Sequence, residues 1–118
     1  MAANFVLKLK YDVSDLLEIM KILRSPEGCP WDREQTHESI KKSLIEETYE
    51  VVEAINKNDK ELMTEELGDV LLQVVFHSQI GAENGEFDFS DVCDGICKKL
   101  IERHPHVFGD ISVKDSGE

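Results

Sequence analysis

No stretch of this sequence approaches the run of about twenty apolar residues that a membrane-spanning helix requires, so no membrane partner is expected. The opening MAANFVLKLK is too short and too charged for a secretion signal, which sets the expectation of a cytoplasmic protein. Basic residues are scarce: 13 Lys and Arg stand against 25 Asp and Glu, a net charge of −12. Nucleic-acid binding works by releasing counterions under a basic patch, and this balance removes that class of partner. A phosphate-bearing ligand would need a cation between itself and the protein. Cys29, Cys93 and Cys97 are odd in number and lack the paired CxxC spacing of a zinc site, so they read as reduced, structural thiols. Proline is confined to Pro26, Pro30 and Pro105, and each marks a boundary in the pattern described next.

The chain has 118 residues and is 41% hydrophobic, enough for one core without disulfides or metal staples. No internal repeat and no strand signal stand out, and the apolar spacing is helical throughout. The expected fold class is therefore all-α, a bundle of about four helices. Residues 1–12 read as an N-terminal extension, 13–110 as the domain and 111–118 as a polar tail. A first helix starts with Ser14 as N-cap, carries Leu16, Leu17, Met20 and Leu23, and stops before Pro26. SPEGCPWDREQ reads as a loop, because Pro26, Gly28 and Pro30 interrupt regular structure. The second helix runs from about Thr36 to Ile55, with Leu44, Thr48, Val51, Val52 and Ile55 as its buried stripe. Asp59 caps a third helix from Lys60 to Glu83, whose VLLQVVF centre is apolar nearly all round and is expected to be the most buried. Ser90 or Asp91 caps the fourth, which carries Val92, Ile96, Leu100 and Ile101 and ends before His104 and Pro105.

Carboxylates cluster in a definite geometry. The short NKND connection makes helices two and three an antiparallel hairpin. Glu47 and Glu50 on one helix have the same spacing as Glu66 and Asp69 on the other. Counted outward from the turn, Glu50 is level with Glu66 and Glu47 with Asp69, to within about 1.5 Å of helical rise. EExxE alone reads as a solvated acidic face. The matching ExxD, which shares a face with Gln73 on a buried helix, changes that reading, because uncompensated carboxylates there repel one another or take up protons. An all-oxygen ligand set points to Mg²⁺ or Mn²⁺ rather than zinc. Di-iron bundles use Glu-x-x-His, and no histidine stands three residues after either glutamate; His77 lies two turns beyond Asp69.

EETYE followed by EELGD resembles the EExxE…ExxD signature of the MazG-type nucleoside triphosphate pyrophosphohydrolases. GCPWDREQTH and KLIERHPHVFGD resemble the flanks of that family, so the likeness covers roughly residues 13–110. The resemblance implies an all-α homodimer in which helices of two subunits complete a four-helix core. It also implies Mg²⁺-dependent hydrolysis of nucleoside triphosphates between the α and β phosphates, yielding monophosphate and pyrophosphate. Glu47, Glu50, Glu66 and Asp69 correspond to its metal ligands, and Lys99 and Arg103 to residues that contact the triphosphate.

Other roles stay open between alternative readings. Glu46 is either the base that takes the proton of the attacking water, or a second-metal ligand, or a solvated glutamate; Glu53 reads as solvated. Lys99 and Arg103, one turn apart, could equally be ordinary charge near a helix end. Trp31 either stacks on a nucleobase, helped by Gln35 or His37, or packs into the core. Gln73 joins the expected substrate contacts, while His104 and His106 shape a helix end. Members of this family often carry two such domains, and HPHVFGD resembles the end of the first copy. The competing reading is a non-catalytic nucleotide-binding or dimerisation module of a longer chain.

Overall fold

A computed structural model describes residues 5–109. Its elements are α1 (Val13–Leu23), α2 (Pro30–Glu34), α3 (His37–Asn56), α4 (Lys60–Glu83), α5 (Phe89–Arg103) and α6 (Pro105–Phe108). Among the described residues there is no strand, so the fold is all-α. Among the described residues no helix is long and apolar enough to cross a membrane. The polar tail expected at 111–118 lies outside the described residues.

Capping explains where the helices start. Asp59 caps α4 as the sequence indicates, and α3, expected from about Thr36, has Thr36 itself as its cap. The first cap is Asp12 rather than Ser14, and the one before α5 is Asp88 rather than Ser90 or Asp91. In both cases an aspartate three residues on returns a bond to the cap's own N–H, as when Asp12 donates to Asp15 Oδ2 at 2.8 Å. That reciprocal box satisfies two helix-end donors where a lone serine satisfies one. Asp15 is buried and also held by Lys8 Nζ at 2.7 Å.

The segment read as a loop contains α2. Pro30 occupies the first turn of that helix, where its missing N–H would have had no partner in any case. Pro105 starts α6 in the same way.

α3 and α4 form the predicted antiparallel hairpin. Asn58 takes φ 54° at its turn, and Asp59 N–H donates to Ala54 C=O at 3.1 Å while Asn58 N–H donates to Ile55 C=O at 3.0 Å. This pair of bonds ends α3 in a Schellman motif. α4 ends in the same motif around Gly85, at φ 71°, with Glu86 N–H on Gly81 C=O.

The core sits at the far end of the hairpin from that turn. Met20 of α1, Ile40 of α3 and Val75, Phe76 and Ile80 of α4 are buried together, and Leu16, Leu17, Leu72 and Phe89 pack around them. α4 is the central helix, touching α1, α3 and α5.

The stripe expected on α3 is displaced by about one position. Ile40 and Ala54 are buried, Leu44 and Val51 half-buried, and Thr48, Val52 and Ile55 exposed. The seam against α4 follows 40, 44, 47, 51, 54, an alternation of four and three that keeps one face toward a partner helix. Glu47 lies within that seam. Ile45, Tyr49 and Val52 form a second apolar strip that faces outward. α5 likewise leaves Val92, Ile96 and Leu100 exposed and has no fully buried residue.

Candidate metal centre

The hairpin register brings Glu47, Glu66 and Asp69 together: one carboxylate oxygen from each lies within 4.8 Å of the others, and all three residues are half-buried. Glu47 and Asp69 form one rung across the hairpin. Glu66 reaches them from the preceding turn of α4. Glu50 is exposed and outside that trio, yet near enough that its charge acts on both Glu47 and Glu66.

Electrostatics at the cluster is uniformly repulsive. Glu47 is pushed above the usual carboxylate range by burial, then by the charges of Asp69, Glu50 and Glu46. Glu66 is raised by burial, then by Asp69, Glu50, Glu65 and Glu47. Every charge acting on the two is negative. The donor set fits a hard divalent cation: opposite oxygens around a metal at about 2.1 Å stand roughly 4.2 Å apart, which the 4.8 Å limit on the three oxygens accommodates.

A buried polar side chain stands beside the cluster. Gln73, one turn beyond Asp69 on α4, is 7% exposed, and its Oε1 has no hydrogen-bond partner. A buried amide oxygen without a donor is uncommon and calls for an occupant.

Other residues singled out from the sequence lie elsewhere. Glu46 is exposed beside the cluster. Lys99 and Arg103 are exposed on α5, form no ion pair among the described residues, and are not among the charges that shift Glu47 or Glu66. Trp31 is 62% exposed, so it is not a core residue. It precedes α3, and the ten residues from His37 to Glu47 span about 15 Å of helix, so within one chain it stands far from the carboxylates. Gln35 is used locally: its Nε2 donates to Trp31 C=O at 2.9 Å and its Oε1 accepts from Ser39 Oγ at 2.8 Å. His37 contacts His77, Nδ1 to Nδ1 at 2.8 Å, and Glu86 at 3.1 Å. His104 Nδ1 lies 2.6 Å from Leu100 C=O, which ties it to the end of α5. Cys29, Cys93 and Cys97 are free thiols.

Residues 35–108 match the family model described as the MazG nucleotide pyrophosphohydrolase domain. The chain is 62% identical over 96 residues to the nucleoside triphosphate pyrophosphohydrolase/pyrophosphatase MazG of Thermotoga maritima, covering 81% of this chain and 38% of that protein. It is 52% identical over 107 residues to the nucleoside triphosphate pyrophosphohydrolase of Escherichia coli K12, covering 90% of this chain and 41% of the relative. The uncharacterized protein YabN of Bacillus subtilis is 51% identical over 110 residues, covering 93% of this chain and 22% of that protein. The chain thus spans less than half the length of each of these relatives. With the matched segment enclosing both halves of the carboxylate cluster, the chain belongs to the MazG nucleotide pyrophosphohydrolase domain family.

Proposed function

We propose that this chain hydrolyses nucleoside triphosphates at the α–β phosphate bond, releasing monophosphate and pyrophosphate, with Mg²⁺ or Mn²⁺ bound at Glu47, Glu50, Glu66 and Asp69. The observation that carries the reading is the meeting of Glu47, Glu66 and Asp69 from two helices, with nothing but acidic charge acting on Glu47 and Glu66. The names of the Thermotoga and Escherichia relatives agree with it.

A divalent cation held by these carboxylates would neutralise phosphate charge and favour loss of a proton from the attacking water. Glu46, beside the cluster and exposed to solvent, accepts the proton as the water oxygen bonds to phosphorus and the bridging oxygen leaves with the other product. Glu50, whose charge acts on both Glu47 and Glu66, would complete the ligand set. Gln73 supplies a polar contact at the buried edge. Lys99 and Arg103, four residues apart on α5, grip the triphosphate together in a homodimer whose second copy packs on the outward strip of α3. Trp31 stacks on a base within that assembly. Residues 13–110 form the working domain, in the cytoplasm.

A second reading is a domain that binds nucleotide without turnover, favoured by the separation of Lys99 and Arg103 from the carboxylates in one chain. Incubation with a panel of NTPs and dNTPs plus Mg²⁺, with products resolved, distinguishes the two. Monophosphate with pyrophosphate is the expected result. Diphosphate with orthophosphate overturns α–β cleavage, and no product combined with a melting temperature raised by Mg·NTP establishes the second reading.

A further inference from the structure

Gln73 Oε1 and His77 Nε2 are the buried side-chain polar atoms without a partner among the described residues. They sit four residues apart on α4, which brings their Cβ atoms to about 5–6 Å. Two such orphans on neighbouring turns point to one cause.

Proton accounting from Glu86 identifies it. Glu86, in the turn between α4 and α5, lies 3.1 Å from His37 Nε2. An ionised carboxylate only accepts, so that nitrogen carries hydrogen. His37 Nδ1 and His77 Nδ1 are 2.8 Å apart, and two nitrogens at this distance share one proton. With His37 neutral, the proton belongs to His77 Nδ1, which leaves His77 Nε2 a bare acceptor. Burial first, and the repulsion that a protonated His37 would exert, hold His77 below the ordinary histidine value, which favours its neutral form.

Packing fixes the rings. His37 and His77 meet edge to edge, with centroids 5.1 Å apart and planes 6° off parallel, and the Phe87 ring lies 5.9 Å from that of His37. Gly81 leaves room for Phe87, since a Cβ there would stand 2.8 Å from its ring. Both orphans are therefore acceptors held in place, and one water donating both hydrogens satisfies them together. The amide nitrogen of Gln73, which is not among the buried unpartnered atoms, is the end left facing outward.

We infer that Glu86, His37, His77 and Gln73 form one hydrogen-bonded chain, closed by a buried water between His77 Nε2 and Gln73 Oε1, and that it turns the Gln73 NH₂ toward the carboxylate face to donate to a phosphate oxygen. His77 is a positioning residue in this scheme, and Gln73 makes the contact. The identity of the ligand rests on the proposed function, whereas the chain itself does not.

Nitrogen NMR of the histidine rings near neutral pH tests the chain in the intact protein. The expected result is His77 protonated on Nδ1 and His37 on Nε2, with the Gln73 side-chain amide signals moving in Glu86→Gln, a change at an exposed site that leaves the helices folded. His77 protonated on Nε2 in the unaltered protein, or Gln73 signals that ignore Glu86→Gln, overturns it. Kinetics tests the contact: Gln73→Met, which deletes the donor without adding charge, raises KM for Mg·NTP about tenfold with kcat changed less than about threefold. An unchanged KM overturns the donor role. A protein that turns over no triphosphate yet shows the stated tautomers refutes the proposed function and upholds the chain.

Discussion

Arg24 and Glu83, 59 residues apart in sequence, are joined by two parallel hydrogen bonds, Nε to Oε2 at 2.9 Å and Nη2 to Oε1 at 2.8 Å. The remaining guanidinium nitrogen, Nη1, donates to the carbonyls of Asp32 at 2.6 Å and Gln35 at 3.0 Å. The group also lies 5.7 Å from the centre of the Phe76 ring. One side chain, 7% exposed, thus ties the ends of α1 and α4 to the segment that carries Trp31. Arg24→Met is expected to destabilise the fold by about 2–4 kcal/mol, because it strands two carbonyls and a carboxylate at once. Urea unfolding measures this, and a loss under about 0.5 kcal/mol, the scale of an ordinary surface change, would show that Arg24 is not the tie.

Acid should weaken the same tie. Glu83 is held below the usual carboxylate value first by its hydrogen bonds to Arg24, against the opposing effect of burial, with help from Gln79. A carboxyl whose folded value is depressed contributes stability that is present above the unfolded value of 4.5 and is lost as pH falls through the folded one. Asp15, lowered mainly by Lys8, acts with the same sign. Glu83→Gln should therefore flatten, without abolishing, the fall in urea midpoint on the acid side. An unchanged slope would place the acid sensitivity elsewhere.

How much of this was legible in the sequence can be judged residue by residue. The rung of Glu47 and Asp69 was readable because a short turn fixes hairpin register and helical rise does the rest. The starts of α3 and α4 were readable from Thr36 and Asp59. The first cap was misassigned to Ser14, since two good capping residues stood close together and the reciprocal bonds of Asp12 and Asp15 decided between them. α3 carries two apolar strips, and the sequence alone did not tell which of them faces α4. α2 and the role of Arg24 rest on contacts from distant parts of the chain, which leave no local pattern. That Glu50 is exposed and outside the trio is a side-chain matter that spacing does not encode.

Gly28 offers a test independent of charge. A Cβ at this position would collide with the backbone carbonyls of Ile22 and Leu23, and Cys29 N–H donates to Leu23 C=O at 2.8 Å across the same contact. Backbone cannot yield as a flexible side chain does, so Gly28→Ala is expected to cost about 2–4 kcal/mol. Gly68, around which a Cβ would meet nothing within 4 Å, is the control, and Gly68→Ala should be neutral or mildly stabilising. Equal effects in the two variants would refute the steric account.

Repulsion among the carboxylates has its own signature. With Glu47 and Glu66 raised by burial and by like charges, removing one charge relieves the metal-free protein. Asp69→Asn and Glu47→Gln should raise its melting temperature by a few degrees while abolishing the further rise produced by Mg²⁺ in the unaltered chain. A variant that melts lower without metal and still responds to Mg²⁺ would exclude the residue it replaces as a ligand.

The outward strip of α3 carries the last prediction. Tyr49 is 75% exposed, and Ile45 and Val52 flank it, so a single chain leaves the strip in water, whereas a second copy would cover it in a symmetric pair. Tyr49→Glu should then give a monomer in sedimentation and remove activity. Lys99 and Arg103 are the residues to follow, because neither is among the charges that shift Glu47 or Glu66 of its own chain. If they serve the partner's site, an equal mixture of Asp69→Asn and Arg103→Ala chains, each inactive alone, regains about a quarter of full activity after subunit exchange. Half of the random pairs are then mixed, and each mixed pair holds one intact site of two. If the basic residues serve their own chain, every site in a mixed pair lacks one partner, and the mixture stays inactive. The recovered fraction therefore decides whether the site is built within one subunit or between two.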